Sequence, residues 1–289
     1  EMMVVSGTMT DSAREKAEGY LAHKWGIALT GGHTWASGSP YKDIQSGADI
    51  SLYWGSSDGG TTSGNWENTI QIGKKANQLA LWLDAADTSS ITHSSNAVSQ
   101  WNDKSGNGNH ASQSTAANQP TLTTSALNGK PVITFDGTND FIASTSLNIT
   151  QSYSIFLVAQ TNNNTSGRDY LFDGVGSQNR SLIALDYSGK IQMWAYNSWA
   201  NSNFNTPSGY FVLSAVFDTS SSSLSLNGTR ANGLNIGTSS LTDGITIGAN
   251  RLANADYLKG RIAEFLILDE TASTGTQSIV EGYLAHKWG

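Results

Sequence analysis

Two stretches of this chain carry side chains in patterns that could do chemistry. The first is Asp103-Lys104-Ser105-Gly106-Asn107-Gly108-Asn109. Oxygen-bearing side chains alternate along it, and its glycines permit a tight turn. Asp103, Ser105, Asn107 and Asn109 have the spacing of the front half of a loop that wraps a calcium ion in oxygen ligands. The bidentate Glu that would close such a loop is missing, and Ser114 stands in its place. An ion here would need further donors, for which Asp84, Asp87 and Asp136 in neighbouring turns are available. The same residues also suit a turn that satisfies its own backbone. A structural calcium is the one cofactor the residues point to.

The second stretch runs from Met193 to Phe204. Alternation puts Trp194 and Tyr196 on one strand face, opposite Met193 and Ala195, and leaves Trp199 and Phe204 in an Asn/Ser-rich turn. Sugars stack their apolar ring faces on aromatic side chains while amides take their hydroxyls. Trp194, Tyr196, Trp199, Asn201 and Phe204 are therefore the glycan-binding candidates. Arg168, Asp169 and Arg180, on loops nearby in sequence, could add polar contacts. The competing reading is that Trp194 and Tyr196 cover the core and Trp199 caps a hairpin.

Hydrolytic chemistry has less to stand on. Glycoside hydrolysis uses two carboxylates flanking the scissile bond, and the few glutamates (Glu1, Glu15, Glu18, Glu67, Glu264, Glu270 and Glu281) show no such pairing. His93 and His110 read as isolated loop residues. No Ser-His-Asp order, phosphate loop or paired-His metal spacing is visible. No catalytic residue is assigned, and the expectation is that the chain is not an enzyme.

The elements that would position these stretches are mostly strands. Leu79–Leu83, Val132–Phe135, Ser154–Ala159, Tyr170–Phe172, Ser181–Tyr187, Ile191–Tyr196, Tyr210–Phe217, Ser223–Leu226, Ile245–Ile247 and Arg261–Leu268 have strand character. Ser154–Val158 and Phe211–Phe217 are apolar on both faces, as central strands are. Ser223-Leu224-Ser225-Leu226 alternates and reads as half-exposed, with Asn227-Gly228 a hairpin turn after it. Thr274 to Trp288 reads as a helix with a basic last turn, which suits the helix dipole. Short strands with a helix only at the end predict an all-β, antiparallel sandwich or jelly roll.

Glu18–Gly26 is identical to Glu281–Gly289, and the match extends without a gap back to Glu1 over Glu264. Self-similarity of this kind marks a tandem array. The expected domains are an end piece at 1–29, a linker and short β connector at 30–76, and the main sandwich at 77–289. Met2, Met3, Val4 and Val5, with Tyr20 and Trp25, are the assembly candidates. That strand would pack on the sandwich, or complete a neighbouring copy by strand addition and build a filament.

The net charge of −7 argues against nucleic acid and anionic membrane surfaces as partners. No apolar run is long enough to span a bilayer. Cysteine is absent, so disulfides and thiolate metal sites are excluded. Only 13% of residues are charged; polarity comes instead from Ser, Thr, Asn and Gly, as on extracellular or cell-surface proteins. Asn148, Asn163 and Asn227 sit in glycosylation-acceptor triplets.

Several motifs occur in order: Leu81-Trp82-Leu83-Asp84-Ala85, Trp101 to His110, Val132 to Phe141, Ser225-Leu226-Asn227-Gly228, Thr246-Ile247-Gly248 and Gly260-Arg261-Ile262-Ala263-Glu264. Together they resemble the concanavalin A-like, laminin-G-like jelly roll of bacterial surface and secreted proteins. The resemblance covers Leu79 to Gly289. It implies a lectin- or glucanase-type sandwich, often with one structural calcium. The Glu-x-Asp-x-x-Glu run of the fold's glucanases is not found here. The leading expectation is a non-enzymatic structural or adhesive repeat of a tandem surface protein or filament, with neighbouring repeats or copies of itself as partners. The alternative is a carbohydrate-binding module whose partner is a surface polysaccharide.

Overall fold

The computed structural model describes residues 79–162, 167–177, 180–196 and 198–289, all within the unit Asn77–Gly289. Expectations for 1–29 and 30–76, including Met2–Val5, Tyr20 and Trp25, lie outside the described residues.

The described chain is all-β with one C-terminal helix. Its strands are β1 (Leu79–Asp84), β2 (Ile91–Ser94), β3 (Ala97–Trp101), β4 (Ala111–Ser112), β5 (Thr121–Leu127), β6 (Lys130–Asp136), β7 (Ile142–Ser144), β8 (Tyr153–Thr161) and β9 (Asp169–Gly174). They continue as β10 (Ser181–Leu185), β11 (Lys190–Ala195), β12 (Trp199–Asn205), β13 (Phe211–Phe217), β14 (Ser222–Leu226), β15 (Thr229–Leu234), β16 (Ile245–Ile247) and β17 (Lys259–Leu268), followed by helix α1 (Thr274–Trp288).

All named pairings are antiparallel. β17 is central: β8 runs along one side, while β6 and then β1 share the other. From β8 the sheet continues through β13 and β14 to β15. A second run passes from β3 through β4, β7, β16, β9, β10 and β11 to β12. The two runs face each other across an aromatic core. Phe172 of β9 meets Phe217 of β13 and Phe265 of β17 edge-on, with centroids at 6.1 and 5.8 Å. Tyr153 of β8 stacks on Phe217 at 4.8 Å and shares a 2.5 Å hydrogen bond with Ser181 of β10.

The expected helix is present over its full length. The Ser273 side chain caps it by accepting from the Thr276 amide at 3.1 Å. It is fastened to the sheet by a buried polar network centred on Glu264. The register of β17 shifts between Ile262 and Glu264, a β-bulge at Ala263 that aims the carboxylate toward the helix. One Glu264 oxygen accepts from Trp82 Nε1 at 2.7 Å and Tyr283 OH at 3.0 Å; the other accepts from Trp288 Nε1 at 2.6 Å and pairs with Lys287 Nζ at 3.0 Å. Lys287 also pairs with Asp84 at 2.8 Å, and Lys104 bridges Asp84 and Asp87 at 2.9 Å each. Burial raises the Glu264 pKa, as does nearby Asp84, while Lys287 opposes the rise. Of this network, Glu264, Tyr283, Lys287 and Trp288 all belong to the stretch repeated in sequence.

The ten expected strands are all present, and the structure adds seven short ones: β2, β3, β4, β5, β7, β12 and β15. These are polar or brief, so pairing partners rather than apolar runs define them. β14 departs from the half-exposed expectation. Its serines are buried, with Ser225 at 1% exposure; Ser225 opposes Ser214 and Arg230, which both engage Glu281 of the helix lying on that face.

Candidate functional site

The outward face of β9–β12 gathers the aromatic candidates. On β11, Ile191, Met193 and Ala195 point into the core, so Lys190, Gln192 and Trp194 point away from it. The same alternation on β12 buries Ala200 and Ser202 and presents Trp199, Asn201 and Asn203. Trp199 and Phe204 therefore sit on a strand and not in a turn. Directly opposed residues share a face, so Leu182, Trp194 and Trp199 form one row and Tyr170, Ala184, Gln192 and Asn201 the next.

Trp194 and Trp199 lie 6.2 Å apart between ring centroids, tilted at 48°. Each carries a guanidinium: Arg168 sits 4.1 Å from the Trp199 centroid and Arg180 4.7 Å from that of Trp194. The resulting order is Arg168, Trp199, Trp194, Arg180. Stacked guanidinium groups restrain the rings and leave N–H donors at the rim. Trp199 is 39% exposed and Tyr196, just beyond β11 with φ of 43°, is 45% exposed. Trp194 packs inward against Tyr170, Leu182 and Ala184, so it serves both the core and the face. Phe204 is half-buried at the far end of β12.

Beneath this ladder lies Asp173, fully buried on β9. One of its oxygens pairs with Arg180 and accepts from the Arg251 amide at 2.9 Å. Burial pushes the carboxyl up to about 6, against the pull of Arg180 and Arg251. Asp173 Oδ1, Arg180 Nε and Gln192 Oε1 have no hydrogen-bond partner among the described residues. Buried polar atoms are rarely left so, and three of them collect on this face. Burial also raises the Tyr170 phenol, and Asp173 and Asp256 add to the rise. Asp173, Gln192 and Tyr170 were not among the expected site residues. The signal for Asp173 was a carboxylate directly following the apolar run Tyr170-Leu171-Phe172, where an ionisable group needs a partner.

The Asp103 loop lies elsewhere, against β1. Asp103 Oδ1 accepts from the Trp82 and Ser105 amides at 2.9 Å each, and Oδ2 from Ser105 Oγ at 2.8 Å and the Asn109 amide at 2.9 Å. Asn107 Nδ2 and Asn109 Nδ2 donate to the carbonyls of Leu79 and Ala80 at 2.7 and 2.8 Å. Both Asp103 oxygens are thus engaged with protein donors, and Asn107 and Asn109 tie the loop to the edge strand β1. Asp84 and Asp87, the expected supplementary ligands, pair with lysines. His110 is no isolated loop residue, because its Nδ1 accepts from the Asp103 amide at 3.0 Å. Among the described residues, no group of three His, Cys, Asp or Glu is placed to hold a metal ion.

No protein-family model and no curated protein matches the chain. Solved structures do share its fold. Domain 4 of AbnA, an extracellular GH43 arabinanase from Geobacillus stearothermophilus in complex with arabinotriose, aligns with a TM-score of 0.54 at 15% identity, over 71% of this chain and 98% of that one. Trypanosoma rangeli sialidase in complex with sialic acid aligns at 0.52 and 10% identity, over 73% and 33% of the two chains. An arabinofuranosidase complexed with arabinofuranosyl-alpha-1,2-xylobiose aligns at 0.50 and 15% identity, over 65% and 50%. This chain therefore spans about a third of the sialidase and half of the arabinofuranosidase. At these identities the likeness is one of fold. It corrects the expectation that the chain is not an enzyme, since the fold is a component of glycoside hydrolases.

Proposed function

We propose that residues 77–289 form a carbohydrate-binding domain of a carbohydrate-active protein, with the glycan lying against the outward face of β10–β12. The observation that carries this reading is the exposed Trp199, backed by the half-buried Trp194, the two rings clamped between two arginines. An exposed indole is costly to leave in water and offers a platform for the apolar face of a sugar ring. Gln192 and Asn201, opposed on β11 and β12, supply amides beside it. Arg168 and Arg180 add N–H donors whose positions are set by stacking and not by long flexible reach.

Three comparisons support the reading. The arabinanase domain is matched over nearly its whole length, and its structure holds arabinotriose. The sialidase and arabinofuranosidase structures also hold sugars. The two facing layers are accordingly read as a concanavalin A-like jelly roll, and the setting as extracellular. These neighbours favour carbohydrate binding over the adhesive-filament expectation, which rests on the sequence repeat alone.

Titration with arabinotriose, arabinofuranosyl-xylobiose and sialic acid, followed by tryptophan fluorescence, tests the proposal. Saturable quenching is expected with at least one of them, and Trp199→Ala should abolish it while leaving the melting temperature nearly unchanged. Binding that survives Trp199→Ala undiminished would move the site elsewhere.

A further inference from the structure

The register places a second open patch on the face that carries the tryptophans. Thr92 opposes Gln100, Gln100 opposes Ser112, and Ser112 opposes Ala143. Ala143 opposes Thr246, Thr246 opposes Asp173, and Asp173 opposes Leu182, which opposes Trp194. Opposed partners share a face, so Thr92, Gln100 and Ser112 lie on the same side as Trp194 and Trp199. The middle of this row is covered: Thr246 is 2% exposed, and Asp173 and Leu182 are 0%. The two ends are therefore separate patches. With strands ~4.8 Å apart, Ser112 and Trp194 stand roughly 24 Å from each other along the sheet.

The Ser112 end is a groove of about 560 Å³, bordered by Thr92, Gln100, Ser112, Ser114, Gln119 and Phe141. Its amide nitrogens are tied down. Gln100 Nε2 donates to Asn102 Oδ1 at 2.6 Å, and Gln119 Nε2 donates to the Gln113 carbonyl at 2.8 Å. Gln113 is itself locked beneath the groove, accepting from the Thr115 amide at 2.9 Å. The Gln100 and Gln119 side-chain oxygens, and the hydroxyls of Thr92, Ser112 and Ser114, have no hydrogen-bond partner among the described residues. No ionised side chain lines the groove. Fixed amide acceptors, hydroxyls that donate or accept, and one aromatic ring form the complement of a neutral polyhydroxyl molecule. An anion would lose water here without gaining a counter-charge.

We propose that this groove is a second subsite for an uncharged oligosaccharide segment, distinct from the arginine-flanked tryptophans. The inference rests on the carbohydrate reading of the protein. Sharing one face, the two subsites can be reached by a single long glycan, whose second contact is then intramolecular and raises the overall affinity.

The test is an amide-resolved NMR titration of the whole chain with arabinotriose, linear arabinan and sialic acid. The side-chain amides of Gln100, Gln113 and Gln119 report the groove, and the indole N–H of Trp199 reports the aromatic patch. Arabinotriose or arabinan is expected to shift the groove signals, and sialic acid is not. Replacing Thr92→Val together with Ser112→Ala should weaken groove binding about tenfold, as loss of two hydrogen bonds implies. Both hydroxyls lack protein partners, so the fold should be kept. Groove signals that stay still while the Trp199 indole moves would overturn the subsite and leave the main reading standing. Sialic acid shifting the groove as strongly as arabinotriose would overturn its neutrality. Signals still at both places with all three probes would remove the carbohydrate reading and the subsite with it.

Discussion

Replacing Glu264 with Gln tests whether the fold depends on an anion in its interior. The carboxylate is fully buried and receives four donors: two indoles, one phenol and one ammonium. Gln keeps the shape but turns one acceptor oxygen into a donating NH2. On the side facing Trp288 and Lys287, N–H groups then meet N–H groups. Each buried donor left without an acceptor costs about 1–3 kcal/mol. Lys287 retains Asp84 at 2.8 Å, so its charge is not orphaned; the loss should fall near the lower end of the 3–5 kcal/mol seen when a buried pair is broken. About 3 kcal/mol at roughly 3 °C per kcal/mol for a domain of this size gives a melting temperature lower by ~9 °C. Circular dichroism melting and guanidinium titration would read it, with the midpoint falling and the slope unchanged. A melting temperature within ~3 °C of wild type would refute the reasoning, because it would mean that the carboxyl already carries a proton, the state toward which burial drives it. A double-mutant cycle with Trp288→Phe should show strong coupling, since both changes act on one oxygen.

Other expectations are open to simpler measurements. Asp173→Asn should flatten the pH dependence of stability between about 4 and 6. The folded-state pKa is raised from 3.8 to about 6, so stability is fully present below the unfolded value and is lost as pH rises through 6; melting curves at closely spaced pH values would show it. In the wild type, glycan binding should weaken below about pH 6, because protonated Asp173 no longer holds Arg180 against Trp194; quenching titrations at pH 5 and 7 decide this. Gly237→Ala should destabilise by about 2–4 kcal/mol, because φ there is +88° and a Cβ would sit 2.1 Å from the Ala195 carbonyl oxygen. Denaturant melts would record the loss, and a shift in the Tyr196 and Trp194 signals would place it at the aromatic face.

Much of the architecture could be read from residue order. Ser154-Ile155-Phe156-Leu157-Val158 and Phe211–Phe217 are apolar on both faces because each is covered on both sides, and a run of that kind says so locally. β12 could not be read this way. Trp199-Ala200-Asn201-Ser202-Asn203-Phe204 has the composition of a turn, and it becomes a strand only because β11 offers it a ladder. The aromatic candidates were legible as residue types, and so was the nearness of Arg168 and Arg180. The stacking order was not, since Arg168 and Trp199 are brought together by two separate hairpins. Glu264 shows the same limit. Its alignment with Glu1 was visible in the repeat, but Trp82, its partner far along the chain, has no signature in the sequence. The alternate oxygens of Asp103–Asn109 were visible too; that the Asn107 and Asn109 amides would donate to the β1 carbonyls of Leu79 and Ala80 was not.

The placing of β17 has a consequence in time. β1 has β17 as its only ladder neighbour among the described strands, joining Leu79 to Leu268 and Asp84 to Glu264. At ~5–20 residues per second of synthesis, roughly 10–40 s separate the emergence of the two partners. Through that interval β1 and the Trp82 indole wait without their mates, and the centre of one layer is an empty lane between β6 and β8. Even when β17 fills it, the Glu264 carboxylate arrives before Tyr283, Lys287 and Trp288. The described fold therefore cannot settle from β1 onward. It closes from the back, in a step that joins the earliest described strand to the latest and is sealed by the helix that follows.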